Sequence, residues 1–105
     1  MTAPLTPEAI EEALTDLKGW TFEDDRIFRT WKFGSFPEAM AFLVRVGFEA
    51  EEADHHPEIY NVYSTVRLSL NTHDVGGKVT ERDLKLAMKI QAIAGAGCGR
   101  SFPAP

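Results

Sequence analysis

Helix-type and strand-type segments alternate along this chain in the order helix, strands, helix, strands, helix, and that order predicts an α+β layer with the helices gathered on one face. The strand signal is plainest from Trp20 to Phe33. There, aromatic and β-branched residues stand on both sides of a charged turn, Glu23-Asp24-Asp25-Arg26, which reads as a β-hairpin. Alternation puts Ile27, Trp31 and Phe33 on one face and Phe28, Thr30 and Lys32 on the other. Before it, Thr6 and Pro7 have the cap and first-position chemistry of a helix. Leu5 and Ile10 have the spacing of a hydrophobic staple, and Ile10, Leu14 and Leu17 form an apolar face that stops at Gly19.

Ser35 and Glu38 form a capping box for a second helix of about 17 residues, with an expected inward stripe of Phe36, Met40, Leu43, Val44, Gly47 and Phe48. It runs out at Glu51-Glu52-Ala53-Asp54, before His55-His56-Pro57, where the proline turns the chain. The segment from Glu58 to Thr72 is rich in strand formers and reads either as one long strand or as two short ones hinged near Tyr63-Ser64. After a loop containing Gly76-Gly77, Thr80 starts a third helix, with Leu84, Ala87, Met88 and Ile90 expected inward. Gly95, Gly97, Gly99 and two prolines make an irregular tail over 95–105.

A length of 105 residues is one domain's worth. Hydrophobic residues at 44% and charged residues at 26% are globular proportions, so the chain is expected to fold around its own core. A net charge of −5 argues against direct nucleic-acid binding, which needs a basic surface. The single cysteine, Cys98, excludes an internal disulfide and a thiolate-built zinc site, and in its Gly-rich tail it is not expected to act as a nucleophile. No apolar run is long enough to span a membrane, and the N-terminal stretch lacks the basic start of a signal peptide. The expected compartment is the cytoplasm.

All three histidines, His55, His56 and His73, lie in two loops surrounded by Glu51, Glu52, Asp54, Glu58, Asp74 and Asp83. Imidazole gives and takes protons at neutral pH, and a neighbouring carboxylate orients it. Such a cluster, without an obvious nucleophile, suits proton-transfer chemistry such as an elimination. The plainer readings are that His55 and His56 are surface residues favoured by a helix C-terminus, and that Asp83 caps its helix from Thr80. A zinc site of His55, His73 and a carboxylate lacks the helical spacing of paired ligands, so no metal is expected.

The pattern Glu51-x₃-His55-His56-Pro57, Tyr63, His73 after nine residues and Asp83 after nine more closely resembles the signature of the pterin-4a-carbinolamine dehydratases. Asn61-Val62-Tyr63, Leu70-Asn71-Thr72-His73 and Thr80-Glu81-Arg82-Asp83 carry the same resemblance, which covers about residues 6–94 of a single domain. It implies a four-stranded antiparallel sheet with three helices on one face, with a second hairpin near Glu58–Val62 and Thr65–Asn71. It also implies assembly as a homodimer or homotetramer.

The implied reaction is dehydration of 4a-hydroxytetrahydropterin to quinonoid dihydropterin, which serves recycling for an aromatic amino acid hydroxylase. The pterin is the substrate, and no cofactor is implied. Carried over by position, His55 and His73 are the acid/base pair and His56 a third histidine that positions the substrate. Glu51, Asp54, Pro57, Asn71, Thr72 and Asp74 fall in substrate binding, and Asp83 supports His73 from behind. Ile59 departs from the aromatic residue that many members carry two positions after the proline. The other function that the resemblance brings is a non-catalytic one: some relatives act as dimerisation, assembly or regulatory factors on the same fold.

Overall fold

In the computed structural model, which describes residues 3–95, the first helix α1 (Pro7–Ala13) tightens into a 3₁₀ turn at Leu14–Asp16. Thr6 caps it by accepting from the Ala9 N–H at 3.1 Å. Ile10, Leu14 and Leu17 are buried as their spacing predicts, although the regular helix ends before the last two. The strands β1 (Thr21–Glu23) and β2 (Arg26–Lys32) follow, then the long helix α2 (Phe36–Ala53). The second hairpin is β3 (Glu58–Val62) and β4 (Thr65–Leu70), so the ambiguous segment is two strands; α3 (Glu81–Gly95) closes the order.

All neighbouring strands are antiparallel, in the order β1-β2-β4-β3. The first hairpin turns on Asp24 and Asp25, both in the left-handed region (φ 55° and 60°), as a two-residue turn matching strand twist requires. In the second, the Asn61 side-chain amide donates to the carbonyls of Tyr63 and Thr65 at 3.2 and 2.9 Å and staples the turn. In the central pair Ile27 stands opposite Leu70 and Trp31 opposite Val66, so the inward residues of β2 and β4 meet under the helices. Trp31 also packs on Phe42 of α2, with ring centroids 5.0 Å apart, and edge-on against Trp20 at 5.7 Å.

Two helix faces differ from the sequence expectation. Along α2 the buried residues are Ala39, Phe42, Val46 and Ala50, while Phe36, Val44 and Phe48 of the expected inward stripe are exposed. The helix is apolar on two sides, and its inner side is the one with alanines, which let it sit close on the sheet. In α3 the buried set is Asp83, Leu86, Ala87, Ile90, Ile93 and Ala94; Leu84 is only half-buried, and Met88 faces out. Gly95 belongs to α3 and not to an irregular tail; the expectations for Gly97, Cys98 and Gly99 lie outside the described residues. Among the described residues no helix is long and apolar enough to cross a membrane.

Candidate active site

The end of α2 aims the first histidine. Asp54 adopts a left-handed conformation (φ 51°, ψ 44°) and donates its N–H to Glu51 O at 3.1 Å, while the His55 N–H reaches back to Ala50 O at 3.0 Å. This pair of bonds is a Schellman stop, usually built on glycine, and it turns His55 inward beneath the helix. The His55 ring is 7% exposed and its Nε2 hydrogen-bonds Asp83 Oδ1.

Asp83 is fully buried in the first turn of α3. Its other oxygen accepts from the Thr80 main-chain N–H at 2.8 Å and from the Thr72 hydroxyl at 2.9 Å. The carboxylate thus caps its helix, as the plainer reading has it, and holds an imidazole at once. Its imidazole partner is His55, not the expected His73. With Nε2 occupied, the nitrogen of His55 left for chemistry is Nδ1.

His56 sits outside, with Nε2 3.0 Å from Glu51 Oε1, and both side chains are exposed. His73 begins a 3₁₀ turn, His73–Val75, is exposed, and its ring has no partner among the described residues. Gly76 and Gly77 close that turn at φ 80° and 76°.

These elements enclose a cleft of about 250 Å³ lined by Asp54, His55, His56, Asn71, Thr72, His73, Asp74 and Arg82. The structure therefore gathers all three histidines and four of the six expected substrate contacts into one cleft. Glu51 and Pro57 do not line it: the Glu51 carboxylate meets the His56 ring, and Pro57 is half-buried.

Arg82 is the residue that sequence reasoning missed. Its guanidinium donates to Asp54 O at 2.8 Å and lies 3.7 Å from Asp74 Oδ2, bridging the two histidine loops from α3. The available signal was its place in Thr80-Glu81-Arg82-Asp83, one residue from the carboxylate, as a cation beside two acidic loops. Farther back, Asn71 reaches Asp25 O at 3.4 Å and Lys78 pairs with Asp25 at 2.9 Å, bracing the His73 loop on the first hairpin.

A wider depression of about 710 Å³ lies on the bare sheet face, lined by residues such as Arg26, Glu58, Tyr60 and Arg67, but it contains no imidazole. All three imidazoles are in the smaller cleft. Among the described residues no three His, Cys, Asp or Glu side chains converge as a metal site would require. A buried imidazole fixed by a carboxylate beside an exposed, unpartnered one is an arrangement for moving protons to and from a bound molecule.

Fold and cleft define a small α+β protein with three histidines gathered in one cleft, and comparison with known proteins gives the family. Residues 3–93 match the family model described as pterin 4 alpha carbinolamine dehydratase. A protein of Opitutus terrae, provisionally named a pterin-4-alpha-carbinolamine dehydratase, is 50% identical over 97 residues, covering 92% of this chain and all of that one. The crystal structure of a transcriptional coactivator/pterin dehydratase from Brucella melitensis superposes with a TM-score of 0.84 at 42% identity, over 89% of this chain and all of that one. A pterin dehydratase-like protein identified as a RuBisCO assembly factor in the alpha-carboxysome is more distant, with a TM-score of 0.59 and 26% identity over 72% of this chain and 87% of that one. The chain belongs to the pterin-4a-carbinolamine dehydratase family.

Proposed function

We propose that this protein dehydrates 4a-hydroxytetrahydropterin to quinonoid dihydropterin by histidine acid/base catalysis. The observation that carries this is His55, held through Nε2 by the buried Asp83, opening onto the same cleft as the unpartnered His73. In the reaction the C4a–O bond breaks and the oxygen leaves as water, so it must receive a proton. N5 of the ring must lose its proton, and the electron pair left there forms the C4a=N5 bond. One proton is delivered and one removed, so the step is balanced without a redox partner, and no cofactor enters it.

Nδ1 of His55 and the ring of His73 are the acid/base pair, each worth about 10²–10⁴ in rate. His56, steadied by Glu51, positions the substrate at the rim. Asp54, Asn71 and Asp74 supply polar contacts to the flat ring, and Arg82 holds their loops together. The protein works in the cytoplasm, returning pterin to an aromatic amino acid hydroxylase. It assembles as a homodimer or homotetramer, in keeping with the apolar residues left bare on α2 and on the edge strand β3.

The test is a coupled stopped-flow assay in which a hydroxylase generates the carbinolamine and its decay is followed against the unaided rate. Faster decay that disappears in His55→Ala is the expected result. A second reading, a non-catalytic assembly role, draws on the likeness to the carboxysomal assembly factor. No acceleration by folded protein between pH 6 and 8 would favour it.

A further inference from the structure

We infer that Thr72 is a positioning residue that joins the two acid/base histidines to one anchor, and that its hydroxyl does not contact the substrate. Its backbone and its side chain hold different histidines. The Thr72 N–H donates to Lys78 O at 2.8 Å, and its carbonyl accepts from the N–H groups of Val75 and Gly77 at 3.3 and 3.1 Å. These bonds frame the turn that presents His73. The side chain, only 1% exposed, turns the other way, with Oγ1 donating to Asp83 Oδ2 at 2.9 Å and lying 2.6 Å from Thr80 Oγ1.

The direction of each proton follows. A hydroxyl has one proton, and that of Thr72 is given to Asp83, so Thr80 must donate to Thr72. Thr80 Oγ1 in turn accepts from the Arg82 N–H at 3.2 Å. Asp83 Oδ2 then receives two donors, Thr80 N–H and Thr72 O–H, which fixes the rotation of the carboxylate and turns Oδ1 to His55. Asp83 has only acceptor roles, so the proton of this bond sits on His55 Nε2 and the lone pair is left on Nδ1. By holding the rotation of the carboxylate, the Thr72 hydroxyl keeps Oδ1 on His55 Nε2 and so maintains this tautomer, while its backbone shapes the approach of His73.

The kinetic arm of the test rests on the dehydratase reading; the spectroscopic arm does not. Thr72→Val keeps the shape and deletes the hydroxyl. Its kcat is expected to fall about tenfold with KM within about twofold, and Thr72→Ser to restore kcat. The chain has three histidines, so the ring nitrogens of His55 can be assigned by ¹⁵N NMR with His56→Gln and His73→Gln. Wild-type His55 should be protonated on Nε2 when neutral, and Thr72→Val should give a mixture of tautomers.

A raised KM with kcat retained would make Thr72 a substrate contact and overturn the inference. So would His55 nitrogens unchanged by the substitution. Should the valine variant not fold, the wild-type spectrum still decides, since a neutral His55 protonated on Nδ1 overturns it without any variant. A wild type that does not accelerate dehydration sinks the functional reading alone, and the ring nitrogens then judge Thr72.

Discussion

At the scale of single residues, Asp83 is where stability and chemistry coincide. It is a buried carboxylate with three donors aimed at it, and each was placed by a different element: Thr72 after β4, Thr80 before α3, His55 after α2. Asp83→Asn should keep the fold but present an amide N–H to His55, forcing the imidazole into the opposite tautomer. The expected result is a loss of about 10²-fold or more in kcat with little change in thermal midpoint, read in the stopped-flow assay. Asp83→Ala leaves three buried donors without an acceptor and should destabilise by about 3 kcal/mol in urea unfolding. Asp54 offers a separate test. Its left-handed backbone suits glycine, so Asp54→Gly should gain about 0.5 kcal/mol, and any loss of activity then reports the carboxylate's contact with substrate. The histidines and Asp83 were legible as a cluster because their residue types and gaps are distinctive. Their pairing was not, since the bond from His55 to Asp83 spans 28 residues and depends on how α3 lies against the end of α2.

At the scale of elements, the caps and turns were the readable part because their chemistry is local. Thr6, Ser35 and the charged first hairpin all act within a few residues of themselves. The inward faces of α2 and α3 were harder, because periodicity finds an apolar stripe without saying which stripe faces the sheet. In α2 two of the three phenylalanines lie outside, and the true inner face sets Phe42 and Val46 between alanines. Stability separates the faces. Phe42→Ala should cost about 3–5 kcal/mol, whereas Met88→Ala, at a position 58% exposed, should stay within about 0.5 kcal/mol. Comparable losses in the two variants would refute the assignment. Arg82 acts between elements, so its removal should loosen loops more than core. In Arg82→Gln the expected outcome is a KM raised about tenfold, with faster hydrogen exchange at residues 54–56 and 73–77 and an unchanged unfolding midpoint.

At the scale of the whole molecule, a sheet covered by helices on one side leaves one edge strand and one helix face with apolar groups in water. On α2 these are Phe36, Val44 and Phe48, the last 73% exposed; on β3 they are Ile59, Tyr60 and Val62, with Tyr63 in the adjoining turn. The two patches differ in chemistry. An edge strand offers unpaired backbone groups to another strand, while a helix face offers side chains alone. The same residues misled the reading of the helix, for apolar character in a sequence marks burial without naming the partner that supplies it. Self-association would resolve both. Light scattering should give a mass two or four times 11.7 kDa, and Val44→Glu with Phe48→Glu should lower it. Those positions contribute nothing to the core, so the double variant should keep its circular dichroism and the ring-nitrogen pattern of His55. A monomeric wild type at tens of micromolar would refute assembly through these faces, and the acid/base cleft would then have to work within a single chain.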